Sequence, residues 1–315
     1  MVAKVVATAY GGPEVLSLVD EELEPPGHGM VLVEVRAAGT NPIDLKLYGG
    51  DMGQDLAALP MALGLEASGV VLAVGRDAVG PAGPVQPGDE VIVHPARGCY
   101  AARVLAPAAA VVPKPANLSF AEASGLLLTG TTAVHALTAT AVGSGDTLVV
   151  HGASGGVGRM LVQLAVDRGA RVIGTAGDKG HAALRQLGAE PVTYGEGLAE
   201  RVRALAPDGV DAAIDAVGTD EAIDVSLELV ADRSRIATVA NSRRGLEVGI
   251  RALGLAPGAE PGTEVRDAAR LELVRLAEKG AVTVQVVASY PLSEAAAAHR
   301  ELASGHTHGK IVLVP

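Results

Sequence analysis

The chain has 315 residues, 49% hydrophobic and 19% charged, which describes a folded globular protein of roughly two domains and argues against long disorder. A net charge of -11 disfavours DNA, RNA and acidic membrane surfaces, and five tyrosines, one phenylalanine and no tryptophan leave little for base stacking. The single cysteine, Cys99, permits neither an internal disulfide nor a multi-cysteine zinc site.

The first residues, Met1–Val6, meet Gly11-Gly12-Pro13 too soon to form the apolar core of a signal peptide. No run of about 18 apolar residues escapes a charge, a glycine or a proline, so no membrane-spanning helix is expected. A cytoplasmic protein is the resulting expectation.

Residues 1 to 120 read as β-rich. Short strand-like runs at Lys4–Ala9, Met30–Ala37, Ala67–Val74, Glu90–Val93 and Tyr100–Leu105 alternate with turn clusters such as Pro25-Pro26-Gly27 and Pro87-Gly88-Asp89. Many short strands at this spacing predict a barrel-like or sandwich domain. Ser119, with Glu122 three residues on, then reads as a capping box opening a helix to Ala139 that Gly130 interrupts.

Regular alternation follows. Strands are predicted at 147–151, 171–175, 191–194, 210–215 and 235–239, and helices at 157–168, 179–187, 197–206, 220–231 and 264–279. Strands separated by helices of this length make right-handed βαβ units and a doubly wound parallel sheet, so the fold class is α/β. β-texture returns at Ala281–Ala288, followed by a short helix at Ser293–Ser304 and a last strand at Lys310–Val314.

The chemistry of the chain concentrates where the strand at 147–151 runs into Gly152-Ala153-Ser154-Gly155-Gly156-Val157-Gly158 and then into a helix. A strand, a tight turn and a helix N-terminus in that order can hold a dinucleotide pyrophosphate, because free N–H groups and the positive end of the helix dipole attract phosphate. Ala153 stands where the G-x-G-x-x-G fingerprint has its first glycine. Ser154, Gly155, Gly156, Val157 and Gly158 are expected to face the pyrophosphate. The second strand ends Gly174-Thr175-Ala176-Gly177 without an immediate carboxylate, and Asp178-Lys179 come only afterwards. Thr175 and Lys179 therefore point to a 2′-phosphate, and to NADPH as the cofactor. A solvated first-turn lysine is the alternative for Lys179.

Several blocks now carry a family resemblance. They are Gly11-Gly12-Pro13-Glu14-Val15-Leu16, Ala37-Ala38-Gly39-Thr40-Asn41-Pro42-Ile43-Asp44, Gly64-Leu65-Glu66-Ala67-Ser68-Gly69, Val85-Gln86-Pro87-Gly88-Asp89-Glu90, Leu128-Thr129-Gly130-Thr131-Thr132-Ala133, the glycine motif, Asp215-Ala216-Val217-Gly218, Asn241-Ser242 and Gly309-Lys310-Ile311-Val312-Leu313. In order and spacing they resemble the medium-chain dehydrogenase/reductase superfamily, in its zinc-independent quinone oxidoreductase and enone reductase branch. The resemblance implies a GroES-like catalytic domain from residues 1–122 and 282–315. It also implies an NADP-binding Rossmann domain from residues 123–281, and a homodimer.

The resemblance also assigns residues. Thr129, Tyr194, Asn241 and Asn41 match positions near the cofactor, and Asn41 could alternatively hydrogen-bond substrate. Tyr194 could instead cap the core. Asp44 matches a family aspartate, with local backbone capping as the alternative. Lys46 stands where enone-reducing relatives often carry lysine and could steady a developing enolate; Tyr48 is a further candidate donor. The alcohol-dehydrogenase branch has a Cys where this chain has Asn41, and a His where it has Leu65, so no catalytic zinc is expected. His306 and His308 form the nearest thing to a metal pair and read as incidental.

The expected activity is hydride transfer from NADPH to a quinone or an α,β-unsaturated carbonyl. The alternatives are a pathway-specific enone or enoyl reductase in biosynthesis, and a non-catalytic NADPH-binding redox sensor.

Overall fold

In the computed structural model, which describes residues 1–305 and 307–315, the chain divides into two units. One comprises Met1–Leu128 and Arg270–Pro315, the other Thr129–Ala269. Both divisions fall inside helices, Leu127–Ala139 and Thr263–Glu278, so residues 123–128 and 270–281 pack with the first unit.

The first unit is built on a mixed seven-stranded sheet. Its strands run in the order 111–113, 90–93, 67–74, 30–39, 310–314 and 286–291, with 103–107 also paired to 30–39. Strand Met30–Gly39 shows why the sequence pattern works. Val31, Val33, Val35 and Ala37 are buried, whereas Glu34 and Arg36 alternate with them toward water. The C-terminal strand Lys310–Val314 enters beside it, Val312 opposite Gly39 and Leu313 opposite Ala38. That register brings the last residues of the chain against residues 39–41. A three-stranded sheet adds Val2–Ala7 between Leu16–Glu21 and Met61–Ala62.

The second unit carries a six-stranded sheet in which every pairing is parallel. Taken in space, the strands are 190–192, 171–175, 147–151, 212–215, 236–238 and 251–252. This is the 3-2-1-4-5-6 order of a doubly wound sheet, which reverses direction beside its first strand and binds ligands outside the strands' carboxyl ends. Its core packs Val149, Ile173, Ala213 and Ile236 of the strands against Val202 and Ile223 of the helices.

Helices Gly156–Asp167, Asp178–Gln186, Leu198–Leu205, Asp220–Leu229 and Thr263–Glu278 lie within a residue or two of the predicted spans. The helix before the sheet differs. It breaks at Ser124–Leu126, between Phe120–Ala123 and Leu127–Ala139, and Gly130 lies inside the second segment. The Ser119 cap forms as predicted, with the hydroxyl accepting from Glu122 N–H and the Glu122 carboxylate accepting from Ser119 N–H. Strand Leu16–Glu21 and helices Pro42–Gly49 and Ser242–Val248 occupy stretches that carry no strong period. Among the described residues, no helix is long and apolar enough to cross a membrane.

Candidate cofactor and active-site residues

The glycine turn is shaped by two backbone constraints. Gly152 has φ +71°, a left-handed conformation open to glycine. At Gly158 a Cβ would stand 2.1 Å from the Gly152 carbonyl oxygen, so only glycine lets the helix pack this close to the turn. Gly155 caps helix Gly156–Asp167, whose first-turn N–H groups face outward from the carboxyl end of strand Thr147–His151. This is the local geometry a pyrophosphate requires.

Thr175 braces the turn from the second strand. Its hydroxyl accepts from Gly152 N–H at 3.1 Å, its carbonyl accepts from Ala153 N–H at 3.0 Å, and the side chain is buried. Thr175 therefore ties the glycine turn to the second strand. Lys179 and Asp178 are exposed at the start of helix Asp178–Gln186. Thr193 donates to the Asp178 carboxylate at 3.0 Å. Tyr194 is 55% exposed and its hydroxyl lies 3.7 Å from where a Cβ would sit on Gly177, so it borders this corner and does not cap the core.

Beyond the fourth strand, Asp215 organises the neighbouring loop. Its Oδ1 accepts from the N–H groups of Val217 and Gly218 at 2.9 and 2.8 Å, and its Oδ2 accepts from the Thr238 hydroxyl at 2.7 Å. Asn241 donates from Nδ2 to the Gly218 carbonyl at 3.1 Å, and its Oδ1 caps helix Ser242–Val248 through Arg244 N–H. That loop packs on the glycine turn, since a Cβ on Gly152 would come within 3.0 Å of Val217. Thr129 is buried in helix Leu127–Ala139.

The first unit holds a buried polar cluster. Lys310 Nζ donates to the Thr40 carbonyl at 2.8 Å, Asn41 Oδ1 at 2.7 Å and Glu66 Oε1 at 2.9 Å, which satisfies all three ammonium hydrogens. Asn41 Nδ2 donates to Glu66 Oε1 at 3.0 Å and to the Gly39 carbonyl at 3.3 Å, and Glu66 Oε2 accepts from Leu128 N–H at 2.9 Å. Asn41 thus donates twice and accepts once inside the protein, and one lone pair of its Oδ1 is left over. These bonds fix its orientation within the cluster.

A second set of bonds joins this cluster. Asp44 Oδ2 accepts from Asn41 N–H at 2.9 Å and from the Tyr100 hydroxyl at 2.8 Å. The Tyr100 oxygen lies 3.2 Å from His299 Nε2, and His299 Nδ1 lies 3.0 Å from the Tyr48 hydroxyl. Because the Tyr100 hydrogen goes to Asp44, His299 must donate from Nε2 and accept from Tyr48 at Nδ1. Burial keeps the imidazole neutral, with its pKa pushed down to about 4. Burial raises the Asp44 pKa to about 7, against the lowering effects of Tyr100, the Asn41 N–H and Lys310. Asp44 Oδ1 has no partner. Asp44 therefore takes the capping role, and Tyr48, wholly buried against His299, is corrected from a donor to substrate to a core residue. Lys46 is half-buried on the same helix, Pro42–Gly49.

The cluster also bears on metal. Glu66 is already paired with a buried ammonium, Leu65 offers no donor, and the Asn41 amide oxygen accepts from that same ammonium. These residues do not fit a catalytic zinc, which needs three protein ligands and would sit against Lys310. Among the described residues no group of three His, Cys, Asp or Glu side chains could hold a metal. His306 of the His306/His308 pair lies outside the described residues.

Comparison with known proteins agrees with this architecture. Residues 27–116 match the alcohol dehydrogenase GroES-like domain, and residues 187–313 match the zinc-binding dehydrogenase family. A quinone oxidoreductase of Pseudomonas aeruginosa is 33% identical over 334 residues, covering 100% of both chains. The chain belongs to the medium-chain dehydrogenase/reductase superfamily, in its quinone oxidoreductase branch. Escherichia coli quinone oxidoreductase, solved with NADPH, superposes with a TM-score of 0.85 at 29% identity, covering 99% of this chain and 100% of that one. A spectinabilin polyketide synthase system protein of Streptomyces orinoci is 34% identical over 98% of this chain, which corresponds to 14% of its own length.

Within this quinone oxidoreductase branch member, the sequence pattern passed over Glu66, Tyr100, Asp215, His299 and Lys310 as working residues. Asp215 carries a usable signal, a carboxylate at the end of an apolar strand. The others lie up to 270 residues from their partners, and no local pattern links them.

Proposed function

We propose that the protein is an NADPH-dependent reductase that passes a hydride to a quinone or an α,β-unsaturated carbonyl. The observation that carries this reading is the glycine turn, with Gly158 packed against it and the N-terminus of helix Gly156–Asp167 open behind Gly155. Ser154, Gly155, Gly156, Val157 and Gly158 would hold the pyrophosphate, and Lys179 and Tyr194 would take the adenosine end. The bound dinucleotide supplies the hydride. What remains for the chain is positioning and a polar setting for the developing oxyanion of the acceptor. Lys46 is the candidate donor to that oxygen, and water completes the protonation. No step passes through a metal, because the Asn41, Glu66 and Lys310 set already holds its own cation.

A homodimer is the form the family resemblance implies, the cytoplasm is the location the sequence leads us to expect, and sedimentation would test the assembly. The polyketide-synthase relative supports a second reading, a reductase acting on one biosynthetic enone. Steady-state assays with a 1,4-quinone and a linear enone in parallel, each with NADPH or NADH and with chelator present, separate these. Turnover of either acceptor with NADPH is expected, and a dependence on added Zn²⁺ would overturn the metal-free mechanism.

A further inference from the structure

Arg159 is an anomaly among the arginines of this protein. It is 9% exposed, its Nε is buried without a partner, and among the described residues no carboxylate, hydroxyl or carbonyl binds its guanidinium. Other arginines withdrawn from water are paired. Arg270 donates to the His94 and Ala109 carbonyls, Arg266 to His135 and Thr132, and Arg235 to Asp146. Desolvation lowers the Arg159 pKa with nothing to offset it. The residue also sits one turn into helix Gly156–Asp167, where a cation opposes the helix dipole. Two unfavourable terms thus fall on one side chain, and the protein supplies no counterweight.

Its place in the helix suggests what does. Arg159 N–H bonds the carbonyl of the N-cap residue Gly155 at 2.9 Å, so the two residues stack one turn apart on the same face. Helical side chains lean back toward the N-terminus, which carries the Arg159 stem over the first turn. A Cβ on Gly155 would meet only the Gly152 carbonyl oxygen, at 3.5 Å. That lean is toward the end of the helix where the backbone N–H groups converge.

We propose that Arg159 is a phosphate ligand of the dinucleotide site, adding a guanidinium fork to the backbone N–H groups of the glycine turn. This rests on the cofactor reading above. A guanidinium suits a pyrophosphate because its paired donors can engage two oxygens at once, which an ammonium does less well.

The test uses the full-length protein and the variants Arg159→Leu, Arg159→Gln and Arg159→Lys. NADPH affinity is read from nicotinamide fluorescence, unobscured in a chain without tryptophan. Melting temperature is read with and without NADPH or inorganic pyrophosphate. Arg159→Leu and Arg159→Gln are expected to weaken NADPH binding roughly tenfold or more, with Arg159→Lys intermediate. The ligand-free Leu variant should melt no lower than the parent, while its NADPH-induced rise in melting temperature shrinks. If Arg159→Leu does not fold, Arg159→Gln, which keeps a polar head, carries the comparison. Wild-type affinity in the folded Leu or Gln variant would overturn the proposal. Should the parent itself fail to bind NADPH, the cofactor reading falls, and the pyrophosphate arm decides. A pyrophosphate-induced rise in the parent that is absent in the Leu or Gln variant upholds Arg159 as an anion ligand; no rise in either overturns it.

Discussion

The glycine turn of one unit and the buried polar cluster of the other are specified in opposite ways. The turn is made by backbone. Gly152 needs its left-handed φ, Gly158 needs the absence of a Cβ, and Thr175 closes the turn from the adjacent strand. All of its essential features lie within a few residues of one another or on neighbouring strands. The cluster is made by side chains from distant parts of the sequence, Asn41 and Asp44 with Glu66, Tyr100, His299 and Lys310. The first kind of site tolerates change around it and fails if a single methyl is added. The second fails when any one partner is removed, because the remainder is left buried and unsatisfied.

The largest effect should come from breaking the cluster. Lys310→Met leaves Glu66 buried without its cation and is expected to cost about 3–5 kcal/mol of stability in urea denaturation. Adding Glu66→Gln in the same chain should recover part of that loss. A cost below about 1 kcal/mol would mean the pair does not organise the unit.

Breaking the turn should cost less in stability and more in binding. Gly158→Ala forces a shift against the Gly152 carbonyl, at about 1–3 kcal/mol, and should abolish NADPH binding while the cluster stays intact. Retained wild-type affinity would show that the close packing at Gly158 is not needed.

A pH titration sharpens the same contrast. Asp44 has its folded pKa raised from 3.8 to about 7, so the folded state holds an extra proton between those values and its contribution to stability falls as pH rises through that window. His299, lowered from 6.5 to about 4, acts the other way, and its contribution is lost as pH falls from 6.5 toward 4. Asp44→Asn should remove the first term alone. Its stability curve should then gain about 1.4 kcal/mol per pH unit relative to the parent as pH rises from 4 to 7. Parallel curves for parent and variant would contradict the assignment.

The smallest effect concerns an exposed charge. Lys179→Glu should weaken NADPH roughly fivefold while leaving NADH nearly unchanged. Equal losses for both cofactors would remove Lys179 from the 2′-phosphate.

How much of this was legible in the chain follows from the same distinction. The parallel sheet, its helices and the glycine turn announce themselves through period and glycine spacing, and the Ser119–Glu122 cap is written in adjacent residues. Gly130 misled because a lone glycine inside a buried, well-packed helix is tolerated; the break came instead at Ser124–Leu126. The bracing role of Thr175 was not legible, because it depends on the register of the second strand, which turns its hydroxyl onto Gly152. Asn41 and Tyr48 were read one residue at a time. Only the entry of strand Lys310–Val314 beside residues 38–39, and of helix Ala295–Ala303 with His299, reveals the partners of their polar atoms.

The most direct test of the account is NADPH consumption, followed by the loss of the reduced-nicotinamide absorbance band, with chelator present and a 1,4-quinone and a linear enone offered in parallel. Turnover of at least one acceptor is expected, with NADH markedly slower. Tight NADPH binding without reduction of either acceptor would contradict it, leaving a cofactor-binding protein in place of a quinone or enone reductase.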